Sequence, residues 1–230
     1  MPPGPIFFNH YTIWIEMIYA LVVLVSCWLI YARTREMYEL TSHKGIKYFR
    51  NTFLFFGITY AVRFFMHLFM TFRINPRLFE HIAFGIRDFS FFIMIYASCM
   101  ATIYLTYSIF WKKLEKYEFS NVYIFHMAAI IIALISLLRN SPGIFLSFQS
   151  ILFLLLIIIS FINYRKTRHK SSFSQLYLLY LLIFGLWIIS NIIEFIIIFS
   201  ALIGLIIYGI SVLLFIVLLI KVLKKVKNKR

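Results

Sequence analysis

The chain is 230 residues long, 63 % hydrophobic and only 13 % charged, with a net charge of +15 and a mean hydropathy of +0.91. A water-soluble domain is about half apolar, so this composition excludes one and makes the lipid bilayer the solvent. The bases lie between apolar stretches rather than clustered on one folded surface as in a nucleic-acid groove, so nucleic acid is not an expected partner.

Seven apolar stretches follow in chain order, each near the ~20 residues that a helix rising 1.5 Å per residue needs to cross a hydrocarbon core of ~30 Å. The first, 11–32, is preceded by Met1-Pro2-Pro3-Gly4-Pro5. That leader lacks a basic n-region, so the first helix is expected to be its own insertion signal. It carries Glu16. The connection from Arg33 to Arg50 mixes Glu36 and Glu39 with its bases and is expected to extend the first two helices beyond the membrane. The second stretch, 51–72, places Arg63 and His67 at i, i+4 on one helical face, with Tyr60 a turn below.

The third stretch, 86–111, opens on Arg87 and Asp88 and carries Ala97 and Ala101 at the small-xxx-small spacing that lets helices approach closely. The fourth, 121–138, has His126 near its start, read as a bundle-facing hydrogen-bonding residue. The fifth spans 143–163. From Phe173 to Ile220 the chain is almost continuously apolar. One helix of that length would be about 72 Å long, more than twice a bilayer's core, so the chain is expected to turn near Phe199-Ser200, giving spans 173–197 and 200–220. On the first of these Tyr177, Tyr180, Phe184, Trp187, Asn191 and Glu194 form one stripe of steps three and four. On the second, Ser200, Gly204, Tyr208 and Ser211 share a face.

The gaps set the orientation. Arg33, Arg35, Lys44, Lys47 and Arg50, then Lys112, Lys113 and Lys116, then Arg165, Lys166, Arg168 and Lys170, then the tail from Lys221 to Arg230 alternate with gaps holding only Arg73, Arg77, Arg139 and the borderline Arg87. Loops rich in Lys and Arg stay inside. The sequence therefore predicts an all-α bundle of seven transmembrane helices in the cell membrane, N-terminus outside, with domain 1–220 followed by a basic cytoplasmic tail, 221–230. That tail has the anionic inner-leaflet lipids as its electrostatic partner.

Charges inside spans are costly, face the bundle interior and mark functional sites by default. Glu16, Arg63, His67, Arg87, Asp88, Asn191 and Glu194 all fall in the outer half, and Glu16, Arg63, His67, Asp88, Trp187, Asn191 and Glu194 form the candidate ligand-binding set. Three readings stay open: a structural ion-pair network, a small-ligand pocket with aromatic walls, or a metal or catalytic centre, for which His67, Asp88 and Glu194 are suitable donors. No HxxxH or HExxH pair occurs, so no metal, cofactor or catalytic residue is assigned. Cys27 and Cys99 read as packing residues. A retinal Schiff base would need a mid-membrane Lys, and the last stretch has none before Lys221.

The topology and the basic first inner loop running into Lys47-Tyr48-Phe49-Arg50-Asn51-Thr52-Phe53-Leu54-Phe55-Phe56-Gly57 resemble the seven-helix membrane input modules found ahead of prokaryotic sensory histidine kinases. No output domain follows before Arg230. The resemblance therefore implies a receptor-like sensing module that signals through a cytoplasmic partner. A transporter or ion pathway is the alternative, then a purely structural membrane subunit or an intramembrane enzyme.

Overall fold

The computed structural model describes residues 10–71, 76–116, 122–139, 144, 146–154, 157–158, 185 and 201–227. All regular secondary structure among them is helical: α1 (His10–Thr41), α2 (Lys44–Thr71), α3 (Pro76–Lys116), α4 (Val122–Leu138), helical residues 146–154, and α5 (Ala201–Lys227). Three of these helices are long and apolar enough to cross a membrane, over Trp14–Thr41, Lys44–Phe69 and Gly85–Ser108; Tyr123–Leu138 and Ile206–Val222 are shorter apolar segments. Most of the predicted 143–163 stretch beyond 154, and nearly all of 173–197, lie outside the described residues.

The first connection is almost entirely helix. α1 continues past the predicted boundary at 32 to Thr41, and α2 begins at Lys44, before the predicted start at 51. Two i, i+3 and i, i+4 pairs support the extension, Arg33 to Glu36 at 3.2 Å and Arg35 to Glu39 at 2.9 Å, both on an exposed face of the helix. The reversal is made by Ser42 at φ 48°, a left-handed residue whose N–H donates to the Tyr38 carbonyl at 2.8 Å and so closes the helix end. The α2 N-terminus also comes close to α3: a Cβ on Gly45 would lie 2.9 Å from Trp111 Nε1.

Packing follows the sequence pattern. On α1 the buried positions Ala20, Val23, Cys27, Ile30, Thr34 and Met37 recur at steps of three and four, a seam that faces a neighbouring helix along its length. α2 lies between α1 and α3, α5 packs on α1, and α4 packs on α3. Ala97 and Ala101 of α3 are buried, as are Ala129 and Ala133 of α4, small side chains that permit neighbouring helices to approach closely.

The opposite faces are apolar too. Ile18, Leu21, Val25 and Trp28 on α1, Ile124, Met127, Ile131, Leu134 and Leu138 on α4, and Ile206, Ile210, Leu213, Val217 and Ile220 on α5 are exposed at the same three-and-four steps. Water-soluble monomers do not present several such stripes. Hydrocarbon is the environment in which these faces cost nothing.

Candidate functional site

Three helices converge on one polar layer. Call the end of the bundle bearing Trp14 of α1 and Phe69 of α2 the upper end. Near it Glu16 projects from α1, Arg63 and His67 from α2, and Tyr208 and Ser211 from α5. His67 Nε2 lies 3.2 Å from Glu16 Oε2, and both side chains are mostly buried. The Tyr208 hydroxyl hydrogen-bonds the same carboxylate, and Arg63 is close enough to act on it electrostatically. Tyr208, Tyr60 and Tyr19 are likewise close enough to Arg63 to act on it electrostatically. The i, i+4 relation of Arg63 and His67 brings both to the α1 side of α2, which is why one carboxylate meets both.

A turn lower the network becomes neutral. The Tyr19 hydroxyl lies 3.0 Å from the Tyr60 hydroxyl and 3.0 Å from Ser211 Oγ, tying α1, α2 and α5 through one atom. The Tyr19 ring also packs on Tyr208, centroids 4.6 Å apart. Below these hydroxyls the same helices turn apolar: Phe56 of α2 stacks on Phe215 of α5 at 5.7 Å, and both are fully buried. The polar layer is thus floored by aromatic rings.

One nitrogen in the layer is unmatched. His67 Nδ1 is buried and has no hydrogen-bond partner among the described residues. A carboxylate accepts only, so a neutral His67 turns Nε2–H toward Glu16 and leaves Nδ1 with a lone pair. A buried acceptor without a donor is costly, and His67 Nδ1 is such an acceptor.

Of the residues singled out from sequence, Glu16, Arg63 and His67 are brought together. Asp88 lies on α3, where its Oδ1 is 3.3 Å from Nε of its chain neighbour Arg87. Trp187, Asn191 and Glu194 lie outside the described residues. Among the described residues no group of three metal-ligating side chains occurs. Tyr19 was missed by sequence reasoning, although it lies three residues from Glu16 and so on the same face. Gln149 was missed as well: its amide hydrogen-bonds Ser98 Oγ, and it is an amide well inside the 143–163 stretch.

His126 forms a separate centre on the α3–α4 side. Its Nδ1 is 2.7 Å from the Tyr96 hydroxyl and its Nε2 3.4 Å from that of Tyr104. Phe55 stacks on Tyr104 at 5.4 Å.

Among known proteins, the chain is 36 % identical over 179 residues to an uncharacterized protein of Archaeoglobus fulgidus (strain ATCC 49558 / DSM 4304 / JCM 9628 / NBRC 100126 / VC-16), a match covering 76 % of this chain and 77 % of that one. No protein-family model and no solved structure matches it.

Proposed function

The chain belongs to one family with the Archaeoglobus fulgidus protein, and from the polar layer and its floor we propose a receptor-like membrane module that binds a small polar ligand from outside. In this reading it crosses the cell membrane seven times with the N-terminus outside, so the upper end of the bundle is the outer end. The alternating basic gaps support that orientation, and the lipid-ready stripes on α1, α4 and α5 support the spanning itself.

The observation that carries the ligand reading is the pairing of a committed carboxylate with an uncommitted imidazole nitrogen. Glu16 is held by His67 and Tyr208, so the layer is rigid, while His67 Nδ1 remains to accept a hydrogen bond. The ligand class is therefore a small molecule with a hydroxyl or amine donor. The stacked Phe56 and Phe215 beneath the layer speak against a conducting path, because ions need polar groups to replace their hydration along the way. A cytoplasmic partner would receive the signal through the helical extensions of α1 and α2, and the basic tail would rest on anionic inner-leaflet lipid.

A thermal-shift ligand screen on detergent-solubilised wild type and Glu16→Gln tests this. Gln keeps the shape and can hydrogen-bond, so the variant should fold. A polar ligand that binds the native state should raise the wild-type melting temperature and fail to do so in the variant. A large loss of stability in Glu16→Gln, with no ligand response in either protein, would leave an ion-pair scaffold as the better account.

A further inference from the structure

A second feature lies at the opposite, lower end of the bundle, where α1 and α2 leave the membrane. Tyr31 and Tyr38 are seven residues apart on one face of α1, about 10.5 Å along its axis. The Arg50 guanidinium carbon lies 5.4 Å from the Tyr31 ring centroid and 5.5 Å from that of Tyr38, so it sits between the two rings. Rings on either side fix a guanidinium through its faces and leave its in-plane N–H fork for an acceptor. Arg50 Nε itself is buried without a hydrogen-bond partner, so the Nη groups are the part of the fork that can face outward.

The neighbouring charges sharpen this. Arg33 and Arg35 are committed to Glu36 and Glu39, whereas Arg50 and Lys47 have no carboxylate partner among the described residues. Lys47 is exposed and precedes Arg50 by three residues, so both cations share one face of α2. Toward the apolar span, Trp28 stacks on Tyr31 at 6.3 Å and is 66 % exposed, the position of an interfacial aromatic. Val25 and Leu29 continue that exposed apolar surface upward.

We propose that Arg50 and Lys47 form a specific site for the phosphate of an anionic phospholipid, whose acyl chain lies along Trp28 and Val25. A fork held by aromatic rings suits a phosphate diester, since two parallel N–H groups match two phosphate oxygens. The lysine adds a mobile second charge. The site rests on the membrane placement proposed above and is distinct from the diffuse attraction of the tail.

The test uses the full chain in nanodiscs of phosphatidylcholine with and without phosphatidylglycerol, reading retained phosphatidylglycerol by native mass spectrometry and the melting midpoint by fluorescence. Wild type should retain the anionic lipid and melt higher with it. Arg50→Gln and Lys47→Gln should each weaken retention about tenfold, the factor for one charge-assisted hydrogen bond. Lys47 is exposed, so its variant folds even if Arg50→Gln does not. Lys224→Gln, in the basic end of α5, should retain the lipid as wild type does. Wild-type retention in Lys47→Gln, or loss in Lys224→Gln alone, would overturn the site. So would an equal rise in melting midpoint from inorganic phosphate in phosphatidylcholine discs, which would make the ligand a soluble phosphate. Failure of the chain to co-elute with the discs would overturn the membrane placement itself, and the site with it.

Discussion

His67 and His126 are both set in apolar helices, yet their surroundings are opposites. His67 faces a carboxylate on one side, has a guanidinium a turn away on its own helix, and leaves one ring nitrogen buried and unmatched. His126 has a tyrosine hydroxyl at each nitrogen and an aromatic ring at 6.1 Å from Phe55. Tyrosine can donate or accept, so His126 is satisfied as either tautomer. A histidine whose hydrogen bonds are complete holds helices together. His67, with one ring nitrogen unmatched, is not satisfied in that way. The two centres share α2: one joins it to α1 and α5, the other to α3 and α4.

The largest effect expected from breaking the upper centre belongs to Arg63. Arg63→Leu leaves the Glu16 carboxylate without its neighbouring cation in an apolar setting, and stranding one member of a buried pair costs about 3–5 kcal/mol. The melting temperature in detergent should fall accordingly. Adding Glu16→Gln to the same protein should recover part of the loss, since the charge that needed Arg63 is then gone. Simply additive effects of the two replacements would mean that the residues are not coupled.

Tyr19→Phe should come next. The change keeps the ring against Tyr208 and removes only the oxygen shared by Tyr60 and Ser211. Two buried hydroxyls then lose a partner, for a cost of about 1–2 kcal/mol; the value stays modest because a chain unfolded within the bilayer finds other partners. Thermal melts of Tyr19→Phe beside Ser211→Ala would check it. A larger loss in Ser211→Ala would place the junction on α5 rather than on Tyr19.

Much of this could be read from the residues alone, and the reason is the rarity of charge in lipid. Glu16, Arg63 and His67 stood out because an apolar stretch offers so few ionisable groups, and the i, i+4 step fixed which face they share. The face holding Tyr208 and Ser211 was equally legible. What could not be read was the company each face keeps. Nothing along the chain pairs α5 with α1, a contact made by residues nearly two hundred positions apart such as Tyr19 and Ser211. Asp88 was read as opening the third stretch, whereas the helix around it starts earlier, at Pro76, and its carboxylate lies beside its chain neighbour Arg87. Tyr19, Tyr96 and Tyr104 escaped notice because an aromatic residue in an apolar run has an ordinary reason to be there. Only the hydroxyl partner makes Tyr19, Tyr96 or Tyr104 polar participants.

His126→Phe gives the smallest of the three effects and the sharpest contrast with His67. The new ring keeps the aromatic contacts with Phe55 and Tyr104, while the hydroxyls of Tyr96 and Tyr104 each lose one partner. His126 is only partly buried, and Tyr104 retains its hydrogen bond from Asn51. The cost should therefore stay under about 1 kcal/mol, near the average for interhelical hydrogen bonds in membrane proteins, and the response to any polar ligand should be unchanged. His67→Phe should differ in kind: it removes the ring nitrogens, one held by Glu16 and one open, and so should abolish the ligand response as well as lower the melting temperature. If His126→Phe instead removed the ligand response while His67→Phe preserved it, the recognition centre would lie between α3 and α4, and the upper layer would be the scaffold.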